Sequence, residues 1–118
     1  MESTIEIFAM LGRRLATFGT DVRSNEVIYA ALANNPWFTR GDILRAVEAI
    51  RHDMLNAEQL VAWLQDYPTA PVSEPRRVAV IMAGNIPLVG FFDLLTVVVS
   101  GHSCYVKPSS KDSTLMRY

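Results

Sequence analysis

The sequence predicts an α/β chain. A helical N-terminal segment over residues 1–67 leads through a Pro-rich linker, 68–77, into the first β-α-β crossover of a parallel sheet over 78–118. Three observations carry this expectation. Apolar residues recur at helical spacing through the first part of the chain. Pro68, Pro71 and Pro75 then break that pattern. Beyond them, VAVIMAGNIPLVGFFDLLTVVVSGHSCYVKPSS reads as strand, Gly-Asn turn, apolar helix, strand and polar loop.

Each element has its own signals. Ile5, Phe8, Leu11, Leu15 and Phe18 recur at steps of three and four, the stripe of an amphipathic helix. Ser3 and Glu6 have capping-box spacing at its start, and Gly19 is the expected stop. Ser24 is the expected N-cap of a second helix carrying Val27, Ile28, Ala31 and Leu32. Asn34, Asn35 and Pro36 end it, because proline forces the preceding residue out of the helical region. Thr39 should cap a third helix with Ile43, Ala46, Val47, Ile50 and Met54 turned inward. Asn56 should cap a fourth, carrying Leu60, Trp63, Leu64 and Tyr67. Residues 78–83 form a short apolar run, as expected of a strand buried on both faces. Pro87 suits the first turn of the crossover helix, where its missing N–H costs nothing, and Ser100-Gly101 ends that helix. Residues 103–107 make the second strand, and Asp112 or Ser113 would start another helix.

Composition narrows the class. The 118 residues suffice for one small domain, half of them are apolar, and the net charge is -1. That balance offers no electrostatic case for nucleic acid or an anionic membrane surface. The longest apolar stretch, residues 86–99, is interrupted by Pro87 and Asp93. It is shorter than the roughly 20 residues of a membrane span. Glu2 and Glu6 stand where a signal peptide needs positive charge. The single cysteine, Cys104, rules out an internal disulfide and suits a reducing cytoplasm, the expected location. His52, His102 and Cys104 are too scattered for a metal-ligand cluster.

Ligands of open α/β sheets bind in the crevice beyond the carboxyl ends of the strands. Asn85 follows the first strand, where Gly84 permits a tight turn. An asparagine amide at the mouth of a helix N-terminus is suited to stabilising an oxyanion. Equally, such a residue serves simply to cap or turn the chain. Neither the P-loop nor the Gly-x-Gly fingerprint is present. Lys107 closes the second strand, either as a donor to a ribose hydroxyl or phosphate or as an ordinary charged strand exit. Ser109, Ser110 and Lys111 add donors to that loop. Asp93, within an apolar helix, is expected to make a structural hydrogen bond. Cys104, mid-strand, reads as a buried structural thiol. Trp37-Phe38 and Trp63 with Tyr67 lack interleaved basic residues, so they are assigned to core packing over base stacking. Arg13, Arg14, Arg76 and Arg77 are assigned to solvated surface.

The chain resembles the LuxC-like acyl-CoA reductase family, a branch of the aldehyde dehydrogenase superfamily. The resemblance rests on Ala83-Gly84-Asn85-Ile86-Pro87, where the superfamily carries a Pro-Trp-Asn-x-Pro turn. It rests also on Ser100-Gly101-His102 after the helix, Lys107-Pro108-Ser109 after the strand, and upstream on Asn35-Pro36-Trp37-Phe38-Thr39 and Leu60-x-x-Trp63-Leu64. Phe92 and Pro108 depart from the pattern, in which His and Leu are common at those places. The resemblance covers nearly the whole chain.

It implies a Rossmann-like, aldehyde dehydrogenase-like fold, incomplete here, in the front part of a larger enzyme that is a homo-oligomer. That enzyme would use NADPH or NADH to reduce an acyl thioester such as a fatty acyl-CoA to an aldehyde. Asn85 would serve the oxyanion hole; Lys107, with Ser109 beside it, would contact the adenosine ribose of the cofactor. The nucleophilic cysteine lies downstream in the family, and Cys104 does not align with it. The 118-residue chain alone is therefore expected to be inactive. The alternatives are an aldehyde or acyl-phosphate substrate within the superfamily, or a non-catalytic nucleotide- or protein-binding module.

Overall fold

Local chemistry sets where most elements begin and end. The computed structural model describes residues 2–67 and 72–118; Pro68 and Pro71 of the expected linker lie outside the described residues. In chain order the elements are α1 (Glu2–Leu15), α2 (Val22–Asn34), α3 (Arg40–Met54), α4 (Ala57–Leu64), β1 (Arg77–Ile81), α5 (Phe91–Val99), β2 (Ser103–Lys107) and α6 (Thr114–Arg117). The fold is mixed α/β, mostly helical, with a two-stranded parallel sheet.

Thr39 caps α3 through a reciprocal box: its Oγ1 accepts the Asp42 N–H at 3.1 Å, and Asp42 Oδ2 accepts the Thr39 N–H at 3.2 Å. Those bonds to Thr39 hold the Asp42 carboxyl below its usual range. Asn56 Oδ1 accepts from the Glu58 and Gln59 N–H groups and caps α4. Two expected caps are corrected. Ser3 already lies inside α1, and Glu6 pairs with Arg13 at 2.7 Å instead of completing a box. Asp21, not Ser24, caps α2: its Oδ1 accepts the Ser24 N–H at 2.7 Å. Ser24 is buried in the first turn, where its Oγ accepts the Gly19 N–H at 2.9 Å.

Two apolar clusters form the interior. One joins Phe8 of α1, Ile50 of α3, Leu60 and Leu64 of α4, and Phe91, Leu95 and Val99 of α5. The other joins Ile28 and Ala31 of α2, Phe38, Ile43 of α3, and Leu115 of α6. Leu88, in the loop between β1 and α5, packs against both. Each fully buried large aliphatic or aromatic side chain contributes about 1.5–3 kcal/mol.

The sheet runs in register from Arg77 opposite Ser103 to Ile81 opposite Lys107. Val78, Val80, Cys104 and Val106 are half-buried, on the side where α5 packs. Ala79, Ile81 and Tyr105 alternate with them and face outward, Ile81 being 78% and Tyr105 57% exposed. The expectation of double burial is therefore corrected: among the described residues only one face of β1 and β2 is covered. The apolar helix α5 is likewise one-sided. Phe91, Leu95 and Val99 face inward, whereas Phe92 and Asp93 are exposed, so Asp93 is not a buried hydrogen-bonded carboxylate. Phe92 lies 5.7 Å from the Trp63 ring, centroid to centroid. Trp63 is half-buried and Tyr67 exposed, so only part of that aromatic pair is core.

Candidate functional site

Because the strands are parallel and end level, the loops that follow them leave the sheet at one end. The Met82 N–H still donates to the Lys107 carbonyl at 3.0 Å. From there the loops run against each other. A Cβ at Gly84 would collide with Ser109 Oγ and sit 2.7 Å from Ser109 Cβ, so this approach requires glycine.

Asn35 ties the two loops together from below. It is only 2% exposed, and its Nδ2 donates to the Gly84 carbonyl at 3.1 Å and the Lys111 carbonyl at 3.2 Å. Its Oδ1 accepts the Trp37 N–H at 3.0 Å, so both ends of the buried amide are satisfied. Beside it, Asn34 Nδ2 donates to the Ser110 carbonyl at 2.8 Å. The two asparagines read from sequence as a helix stop thus pin both strand-end loops to α2.

Asp112 fixes the first loop further along. Its Oδ2 accepts the N–H of Leu88 at 2.7 Å. Leu88 has φ 57°, the sole non-glycine residue in the left-handed region among those described. Asp112 is 5% exposed and its Oδ1 has no partner among the described residues. Burial pushes its carboxyl pKa up, and the Leu88 N–H opposes that shift.

Asn85 lies between these two fixed points, and it is exposed. It does not stand at a helix N-terminus, however. The segment from Ile86 to Gly90 makes its own turns, with the Val89 N–H on the Ile86 carbonyl and the Phe91 N–H on the Leu88 carbonyl. Helix α5 begins only at Phe91, with Gly90 as its N-cap, so Pro87 is not in its first turn. A helix dipole acts within about one turn of the end, so α5 lends Asn85 little field and the amide is the donor.

The shallow depression that Asn85 lines is shared with Asn35, Trp37, Gly84 and Lys111. Lys107, exposed at the end of β2, is not among its lining residues. Ser109 is half-buried against Gly84, and its Oγ accepts the Lys111 N–H at 3.1 Å. The structure thus brings Asn85 together with Lys111. Trp37 corrects another expectation: it is 83% exposed at the rim of the depression, while Phe38 beside it is buried. Asn35 and Asp112 were missed as site-building residues, because their partners are distant in sequence.

Cys104 is half-buried on the α5 side of the sheet, and burial pushes its thiol pKa up. A thiol held protonated in this way is a poor nucleophile. At the opposite end of the sheet His102 Nδ1 accepts the Arg76 N–H at 3.0 Å. Among the described residues no His, Cys, Asp or Glu group could hold a metal ion, and no helix is long and apolar enough to cross a membrane.

No family model, curated protein or solved structure matches this chain.

Proposed function

We propose that this chain is the N-terminal part of a cytoplasmic, NAD(P)H-dependent reductase that converts an acyl thioester, such as a fatty acyl-CoA, to an aldehyde. The observation that carries the reading is Asn85: an exposed amide beyond the carboxyl ends of two parallel strands, on a loop held at Gly84 by Asn35 and at Leu88 by Asp112. A donor fixed in advance stabilises developing negative charge without reorganisation, which is what reduction of an acyl carbonyl needs. The bare outer face of the sheet also supports a larger cofactor domain, because parallel sheets are normally covered on both faces.

Lys107 and Ser109 fit the ribose end of a nicotinamide dinucleotide. The Lys107 ammonium is exposed at the carboxyl end of β2, and the Ser109 hydroxyl accepts one bond while keeping its own proton to donate. When bound, the cofactor supplies hydride: thioester, NAD(P)H and a proton give aldehyde, thiol and NAD(P)+. Asn85 donates to the carbonyl oxygen as it gains charge, and Lys107 and Ser109 orient the cofactor's sugar. Cys104 stays outside this chemistry, so the acyl-accepting cysteine is provided by another part of the protein.

The test is thioester-dependent NADPH oxidation, followed with the full-length protein and with the 118-residue chain alone. The reading expects turnover of acyl-CoA by the former and none by the latter. Full-length protein that oxidises NADPH with no thioester in its substrate range overturns it.

A further inference from the structure

The two apolar clusters meet at Leu88 without closing on each other. Between α1, α3 and α6 they leave a cleft of about 110 Å³. Protein interiors are close-packed, and voids larger than a water molecule are few. Buried Val47, Ile50, Phe91 and Leu115 form its floor, and half-buried Phe18 and Met116 with the exposed Tyr118 form its rim. Among the described residues no charged side chain lines it, and its one polar side-chain group is the Tyr118 hydroxyl. Asn85 and Lys111 are not part of its lining, so it is distinct from the depression at the strand ends.

The rim is held in place. The Tyr118 ring lies 5.6 Å from the Phe18 ring, centroid to centroid, with 57° between their planes. The Arg23 guanidinium sits 5.4 Å from the centroid of the same Tyr118 ring. Among the described residues Arg23 forms no ion pair. A cation is thus fixed at the mouth of a cleft whose walls are carbon.

We propose that this cleft binds a small aromatic carboxylate, a single ring with an acid group at its outer end. An apolar cavity of about 150 Å³ holds a benzene ring. A cleft of about 110 Å³ that is open on one side admits the same ring and leaves its substituent outside. Phe18, Phe91 and Tyr118 offer it ring faces and edges, and Met116 a polarisable thioether. A flexible alkyl chain would lose more rotamer freedom than a rigid ring for the same contact. The acid group is what Arg23 selects, because a guanidinium pairs with a planar carboxylate through two parallel N–H···O bonds. The site stands whether or not the parent reaction is thioester reduction.

The test follows isotopically labelled leucine and valine methyl groups of the protein by NMR during titration with benzoate, benzyl alcohol, benzylamine and hexanoate. Saturable shifts at Val47, Leu88 and Leu115 are expected, with Leu60, buried elsewhere, unmoved. Benzoate should bind about 3-fold or more tightly than benzyl alcohol, and benzylamine more weakly than either. Arg23→Gln should bring benzoate to the affinity of benzyl alcohol. Val47→Phe, which places a ring on the floor, should abolish the shifts with every probe. Arg23→Gln is a surface change, so it decides the matter if Val47→Phe does not fold. Hexanoate that binds more tightly than benzoate overturns the ring assignment. Shifts that stay linear with concentration, or benzoate and benzyl alcohol of equal affinity for the wild type, overturn the site. None of these outcomes bears on the oxyanion role of Asn85, which is read from turnover.

Discussion

Asp112 holds the N–H of Leu88 at 2.7 Å and thereby fixes a left-handed backbone, φ 57°, at the residue that packs against both apolar clusters. The contact joins the loop after β2 to the loop after β1, and the second carboxyl oxygen of Asp112 is buried without a partner among the described residues.

Replacing Asp112 separates the hydrogen bond from the charge. Asp112→Ala strands the Leu88 N–H and should cost about 1–3 kcal/mol in denaturant unfolding. Asp112→Asn keeps an acceptor and should be neutral or stabilising at neutral pH. The sign follows from linkage. Burial raises the folded-state pKa of Asp112 above its ordinary 3.8, so its favourable contribution is complete below that value and is lost as pH rises through the folded pKa. Asp21, Asp42 and Glu48, lowered by hydrogen bonds, run the other way and lose their contribution as pH falls. The difference between wild type and Asp112→Asn, measured from pH 3 to pH 8, should therefore grow in favour of the variant as pH rises. A difference that is flat with pH contradicts this assignment.

Asn35→Asp tests the tie between loops. A carboxylate cannot donate to the Gly84 and Lys111 carbonyls, and a charge placed there is buried against two acceptors. A loss of at least about 2 kcal/mol is expected, with faster amide hydrogen exchange in both strand-end loops. Unchanged exchange there would mean that Asn35 only ends α2.

Gly84→Ala tests the close approach of those loops. Its Cβ meets Ser109, so the loops must part, at a cost of about 1–3 kcal/mol. Adding Ser109→Gly should recover part of the loss. If the double variant is as unstable as the single one, Ser109 is not the obstacle.

These three residues also mark how far the sequence could be read. The caps at Thr39 and Asn56 and the bounds of β2 were legible because their determinants lie within a few residues. Asp21 and Ser24 are both good cap residues, and only the bond from Gly19 to Ser24 Oγ decides between them. Pro87 looked like a helix start because local propensity favours it there. The start is moved to Phe91 by Leu88, whose conformation depends on Asp112 far along the chain. Trp37 and Phe38 are neighbours of similar hydrophobicity, and only the tertiary position of α3 buries one and exposes the other. Asn85 was legible as a strand-end residue; the asparagine and aspartate that hold its loop were not.

The one-sided sheet yields a differential prediction. Ile81→Thr, on the bare face, should change stability by less than about 0.5 kcal/mol and reduce self-association. Val80→Ala, on the face toward α5, should cost about 1 kcal/mol or more. Equal losses at both positions would show that the outer face is covered.

The most direct test of the account is the effect of Asn85→Ala on acyl-CoA reduction by the full-length protein. The predicted result is a fall in kcat of roughly 100- to 1,000-fold with KM and melting temperature little changed, the pattern of a donor that acts at the developing oxyanion. A variant that keeps wild-type kcat would contradict it.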